Sequence, residues 1–270
     1  MRQSDPSTPA SSQAASPLLR PHEPLPYRIE AGEAPAPVLL VCEHAGARIP
    51  EALGRLGLEE RHLARHIAYD LGALALARAL SRRLAAELVW QPYSRLVCDC
   101  NRRPEAPSFI VEVSEDTPIP GNRALPPAAR EVRRWAVFEP FHRKVAERLQ
   151  RRLERFAGRV ALVSVHSFTP VFLGRRREVE VGLLYNRRPE LARLVGRALR
   201  REGGLRVADN EPYVMDDASD FTVPHHAERR GLPCLEIEVR QDLLARDEDV
   251  EAVAARLAAA LKPALWEVLA

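Results

Sequence analysis

Four short apolar runs, at residues 38–42, 160–165, 179–185 and 235–239, most constrain how this chain can fold. Each has the length of a buried strand, and the segments between them are long. Those segments place apolar residues at helical spacing. The first covers 62–87, with Ile67, Leu71, Leu74, Leu80 and Leu84 on one stripe. Residues 127–157 form a second, with Trp135, Phe138 and Phe141 as candidate core contacts and Pro140 as a kink or a break. Residues 189–202 and 250–269 complete the set, and shorter strands are expected at 88–90 and 96–98. Strands alternating with helices in this way predict an α/β fold: a mixed, mostly parallel sheet with helices on both faces.

Between these elements, residues 103–124 hold four Pro and one Gly and read as a long surface loop. Residues 208–224 read as irregular and Asp-rich. The first 26 residues, with six Pro among Ser and Ala, read as a disordered tail, so the single folded domain is expected over 27–270. No apolar run of about 18 residues is present, and no apolar stretch follows the first charge. With only four Cys in 270 residues, these features predict a cytoplasmic protein without membrane association. Cys42, Cys98 and Cys100 are expected as buried structural thiols. Of the 40 basic residues other than His, only Lys144 and Lys262 are Lys. The Arg excess is spread along the predicted helices and mixed with acids, as a solvated surface is and a nucleic-acid-binding face is not. The run Arg175–Arg177 reads as a solvated basic turn. The sequence sets no oligomeric state.

Chemistry gathers where the apolar runs end. Glu43-His44 follows the first run, Asp99 with Asn101 and Arg102 follows 96–98, and His166-Ser167 follows the second run. Glu238 lies near the end of the fourth, on the same face as Glu236 because strand side chains alternate. Open sheets bind ligands beyond the carboxyl ends of their strands. Two imidazoles and a carboxylate brought together there can hold a divalent metal with one position open, and a further carboxylate can take a proton from water. Asp70, inside the predicted first helix among apolar residues, needs either a partner or exposure. Arg95 and Arg102 present planar forks that match a carboxylate, although Asp99 could engage either of them instead.

The order and identity of these segments resemble the N-formylglutamate amidohydrolase family. The resemblance rests on Val41-Cys42-Glu43-His44-Ala45-Gly46 with Arg48-Ile49-Pro50, on the segment from His66 to Ala73, on the segment from Tyr93 to Arg102, on His166-Ser167-Phe168-Thr169-Pro170, and on Glu238-Val239-Arg240 with Asp242-Leu243. It implies a zinc-carboxypeptidase-like fold and a zinc-dependent amidohydrolase. By resemblance the substrate is N-formylglutamate, cleaved to formate and glutamate in histidine degradation. The resemblance also implies His44, Asp70 and His166 as zinc ligands, with Glu43 as an alternative carboxylate, and Glu238 as the general base. Arg95, Asn101, Arg102 and His226 are the expected contacts of a small carboxylate substrate. The alternatives are an amidase or peptidase for another acyl-amino acid or peptide, and a non-catalytic binding protein on the same fold.

Overall fold

The computed structural model describes residues 18–30 and 36–270. Its strands are β1 (Arg28–Glu30), β2 (Val38–Cys42), β3 (Glu87–Trp90), β4 (Val113–Ser114), β5 (Thr117–Pro118), β6 (Ala161–Phe168), β7 (Val171–Phe172), β8 (Arg175–Arg176), β9 (Val181–Leu184), β10 (Val207–Asp209) and β11 (Cys234–Arg240). Its α-helices are α1 (Glu60–Leu63), α2 (Ala73–Leu84), α3 (Pro127–Arg133), α4 (Glu139–Arg155), α5 (Glu190–Glu202) and α6 (Asp247–Leu269). Seven strands form the main sheet, in the order β1–β3–β2–β6–β11–β9–β10. The central pairs β3–β2, β2–β6 and β6–β11 are parallel. β1 runs antiparallel to β3, and β9 runs antiparallel to β11. The sheet is therefore mixed and mostly parallel, as its sequence pattern predicts.

Side-chain alternation divides each central strand between two cores. Leu40, Val163 and Ile237 pack with α2, α5 and α6 on one face. Leu39, Val41 and Leu162 pack with Phe141, Val145 and Leu149 of α4 on the other. Burial on both faces explains why these strands read as unbroken apolar runs. It also fixes where polar residues can go. Ser164, His166, Glu236 and Glu238 share the α4 face, and parallel pairing sets Glu238 opposite His166.

The structure corrects several sequence expectations. Of the helix expected over 62–87, residues 62–63 end the short α1, and the long part begins only at Ala73 and closes at Leu84. Gly72 stops it from starting sooner, with φ +79° and no room for a side chain against Leu244. Asp70 therefore lies in a loop, its N–H bonded to the His44 carbonyl. Residues 96–98 are a tight turn rather than a strand. They are apolar because they are buried, and Val97 N–H closes on Ser94 O. The helix from 127 is not broken at Pro140. A π-helical turn over Arg134–Phe138 precedes it, and such a wide turn accommodates the proline that cannot donate to the preceding turn. The widening carries Trp135 off the buried stripe, and it is exposed, while Phe138 and Phe141 are buried. The 103–124 segment is partly internal, with Phe109, Ile119 and Asn122 buried. His166 and Ser167 lie inside β6 rather than past its end.

Of the expected tail, residues 1–17 lie outside the described residues. Residues 18–26 pack on the body: Leu18 is buried in the α4-side core, and the Pro24 and Pro26 carbonyls accept from Tyr93 and Gln91.

Candidate metal centre and substrate cavity

β2 and β6 are neighbours, so the loop after β2 and the carboxyl end of β6 meet. His44, Asp70 and His166 are brought together there, all buried, with one donor atom from each lying within 4.8 Å of the others. His44 Nε2 is 2.7 Å from Asp99 Oδ1, and His166 Nε2 is 3.1 Å from Glu43 Oε2. His44 gives its Nε2 proton to Asp99 and keeps a lone pair on Nδ1, which lies 3.4 Å from Asp70 Oδ2. His166 hydrogen-bonds the same Asp70 oxygen through Nδ1 at 2.8 Å. Each ring is left with one buried nitrogen that has no hydrogen-bond partner, Nδ1 of His44 and Nε2 of His166, and a cation beside them would relieve that. The donor set fits zinc, and Asp99 on His44 is the kind of orienting partner that a zinc-bound histidine uses.

Glu43, the alternative ligand of the sequence reading, lies beside His166 instead. It meets His166 Nε2 and accepts from Ser164 Oγ at 2.7 Å. Burial alone would raise its carboxyl, but the charge of His166 beside it prevails and holds it down at about 2. Asp70 is likewise held low against the effect of burial, by His44 and His166.

Two carboxylates of β11 stand beside the cluster. Glu236 accepts from Asn101 Nδ2 at 3.1 Å and lies 3.9 Å from His166 Nε2. Burial raises its carboxyl to about 7. Glu238 is different, since its Oε2 is buried without a hydrogen-bond partner. Arg240 does not pair with it, being engaged by Asp242 and Glu180. Burial raises Glu238 well above the usual carboxylate range.

A cavity of about 190 Å³ adjoins this cluster. Arg95 and Asp99, which bind Asp70 and His44, form part of its wall, with Arg102, His66, Phe172 and Tyr213. A larger apolar groove of about 530 Å³ lies at the opposite edge of the sheet, between the start of β2 and the end of α6. His44, Asp70, His166 and Glu238 line neither space, but the smaller cavity reaches them through Arg95 and Asp99, which the groove lacks.

A family model described as N-formylglutamate amidohydrolase matches residues 36–245. The chain belongs to the N-formylglutamate amidohydrolase family. A gene product of Agrobacterium tumefaciens of known crystal structure shares 40% identity, over 93% of this chain and 99% of that one, with a TM-score of 0.87. An N-formylglutamate amidohydrolase from Ralstonia eutropha JMP134 has the same fold at 21% identity, over 90% of this chain and 98% of that one, with a TM-score of 0.67. No curated protein sequence matches the chain.

All the residues singled out from the sequence fall within the span matched to the N-formylglutamate amidohydrolase family, and the fold distributes them unevenly. Arg95 uses its whole fork on protein, giving Nη1 to Asp70 and Nε and Nη2 to Asp99. Arg102 gives Nη1 to Asp220 and to the Asn101 carbonyl, and its Nε and Nη2 have no partner among the described residues. Asn101 is enclosed. Its amide ties Glu236 to the Thr222 backbone, at 3.1 and 3.0 Å. His226 is buried too, stacked on His142 with its Nε2 3.0 Å from His142 Nδ1. His142 Nε2 in turn meets the Cys100 carbonyl at 2.7 Å. That carbonyl can only accept, so His142 Nε2 carries the proton and His226 Nε2–H donates to His142 Nδ1.

Sequence reasoning missed the link from Asp99 to His44 and the His142–His226 pair. The signal for His142 was a polar residue on the otherwise apolar stripe of α4.

Proposed function

We propose that this protein is a zinc-dependent hydrolase of the amide bond in a small N-acylated amino acid, with N-formylglutamate as the first candidate. The observation that carries the reading is the buried convergence of His44, Asp70 and His166, in which each ring keeps one nitrogen without a hydrogen-bond partner. His44, His166 and Asp70 would hold the metal. When bound, zinc supplies Lewis acidity, which polarises an acyl carbonyl and makes water nucleophilic near neutral pH.

The chain's own residues do the rest. Glu238 Oε2, buried and unpartnered, takes a proton from the water that attacks the acyl carbon. As the C–N bond breaks, Glu238 returns that proton to the leaving nitrogen, giving a carboxylic acid and a free amine. Burial raises its carboxyl, and a cation bound beside it would draw it back to the ionised form that a base needs. Asp99 keeps the His44 imidazole in one tautomer and orientation, and Asp70 orients His166 through its Nδ1. Arg102 receives a substrate carboxylate with the part of its fork that the protein leaves unused. Arg95 fixes Asp70 and Asp99 and so shapes the site. The cavity, about 190 Å³ in volume, favours a small acyl-amino acid over a peptide.

The test is metal analysis of the purified chain beside His44→Ala and His166→Ala, with a panel of N-formyl, N-acetyl and dipeptide substrates. Stoichiometric zinc that both substitutions remove, with formate released from formylated substrates, is the expected result. If neither substitution lowers bound metal, the assignment of the centre fails. If acetylated or peptide substrates turn over instead, the hydrolase reading stands and the substrate changes.

A further inference from the structure

The basic run 175–177 is not uniformly solvated. Arg175 and Arg176 are exposed on the β7–β8 hairpin, but Arg177 is drawn inward. Its guanidinium carbon lies 5.6, 4.7 and 4.8 Å from the ring centroids of Phe168, Phe172 and Tyr213. Its Nη1 also donates to Tyr213 Oη at 2.9 Å. A planar guanidinium can stack on aromatic faces and donate in its own plane at once, which an ammonium cannot. The backbone of Arg177 is pinned as well. Its N–H bonds Pro170 O at 2.8 Å, and its carbonyl accepts from Arg240 at 3.3 Å.

Phe172 and Tyr213 line the same cavity as Arg95 and Arg102. The phenol oxygen of Tyr213 accepts from Arg177, and its own proton has no acceptor among the described residues. Tyr213 is 40% exposed, so its phenol borders both the cavity and solvent, and partial desolvation and then the nearby Glu238 charge raise it, so it stays protonated at neutral pH. The cavity therefore presents an oriented O–H donor that the protein does not use.

We propose that Arg177 is a positioning residue, which holds the Tyr213 phenol as a hydrogen-bond donor to a carboxylate oxygen of the bound substrate. The inference rests on reading this cavity as the site of an acyl-amino acid. It assigns part of substrate selection to Tyr213 and to the hairpin that follows His166, and it makes the aromatic stack the element that sets the donor's place.

Steady-state kinetics of the zinc-loaded full chain on N-formylglutamate test it, comparing Tyr213→Phe, Arg177→Ala, Arg177→Lys and the Arg177→Ala/Tyr213→Phe pair. Tyr213→Phe keeps the ring and removes only the O–H. It is expected to raise KM about 10-fold with kcat changed less than about 3-fold. Arg177→Ala is expected to do the same alone and to add nothing in the Tyr213→Phe background, because it acts through the phenol. Arg177→Lys recovers part of the loss. An unchanged KM in Tyr213→Phe, or independent effects that multiply in the pair, overturns the proposal. If the wild type hydrolyses no substrate, the hydrolase reading fails separately, and calorimetry with L-glutamate decides. A Kd about 10-fold weaker in both single variants supports the positioning role. An unchanged Kd, or no binding by the wild type, overturns it.

Discussion

His44 stands between two carboxylates that do different work. Asp70 faces the nitrogen that would meet a metal, while Asp99 holds the far nitrogen at 2.7 Å and is itself fixed by the Asn101 N–H and by Arg95. Asp99→Asn removes the charge from this outer position and sets an amide N–H or a neutral oxygen against Arg95 and His44. It is expected to weaken zinc binding about 10- to 100-fold, measured by competition with a chelator of known affinity. Zinc affinity equal to that of the wild type would show that Asp99 does not orient His44. Glu238→Gln makes the complementary case, since it should keep its zinc and lose about 10²- to 10⁴-fold in kcat. Loss of metal with that substitution would move Glu238 into the ligand set. The sequence made His44, His166 and Glu238 legible because each sits at the end of an apolar run, where a polar residue has few structural reasons to be. The pairing of Asp99 with His44 was not legible, because 55 residues separate them and no local pattern relates them.

At the level of elements, the strands were legible because both of their faces are buried, which leaves an apolar run with no alternation to misread. The first long helix was not. Ile67 and Leu71 keep helical spacing with Leu74, but both lie in an irregular loop, in which the Ala68 carbonyl accepts from Ser94 Oγ and Arg95 N–H. Gly72 marks the true start of α2 and holds Asp70 outside it. A Cβ at that position would sit 2.5 Å from Leu244 Cβ, on a backbone at φ +79°. Gly72→Ala is expected to cost about 1–3 kcal/mol in chemical denaturation and to lower zinc affinity by shifting Asp70. A loss of stability with zinc affinity intact would detach the α2 boundary from the metal centre. A second joint binds α4 to the sheet. Glu87 on β3 accepts from Arg148 at 2.7 and 2.5 Å and from Arg152 at 3.2 Å, and Arg152 also donates to the Val38 carbonyl. Arg152 and Glu87 are both buried. Removing one partner of a buried pair leaves the other charge without compensation, so Glu87→Leu is expected to destabilise by about 3–5 kcal/mol. Arg148→Ala, on the more exposed partner, should cost much less. Equal costs for the two would mean that burial does not decide the strength of this joint.

Across the whole molecule, the two faces of the sheet carry different burdens. The face covered by α2, α5 and α6 is an almost wholly apolar core, whereas the α4 face combines apolar packing with the buried His166, Glu236 and Glu238 and the His142–His226 pair. That division follows from alternation along β6 and β11. Once Val163 and Ile237 face one way, Ser164, His166, Glu236 and Glu238 must face the other. The polar face is therefore where the stability of the fold should respond to pH. Burial lowers the pKa of His142 to about 3, against 6.5 for a free histidine. Burial also lowers that of His226, and His142 beside it adds to the effect. The folded protein keeps these rings neutral at a pH where the unfolded chain takes up protons. Their contribution is complete above pH 6.5 and is lost as the pH falls toward about 3. Each ring can contribute a slope of up to about 1.4 kcal/mol per pH unit within that window. His142→Gln tests this, because an amide can still donate to the Cys100 carbonyl but cannot titrate. The variant should be less stable than the wild type at pH 7.5, and its unfolding free energy in urea should fall less steeply between pH 6.5 and 5. Parallel pH profiles for the two proteins would place the acid sensitivity in the carboxylates of the metal centre and remove it from the histidine pair.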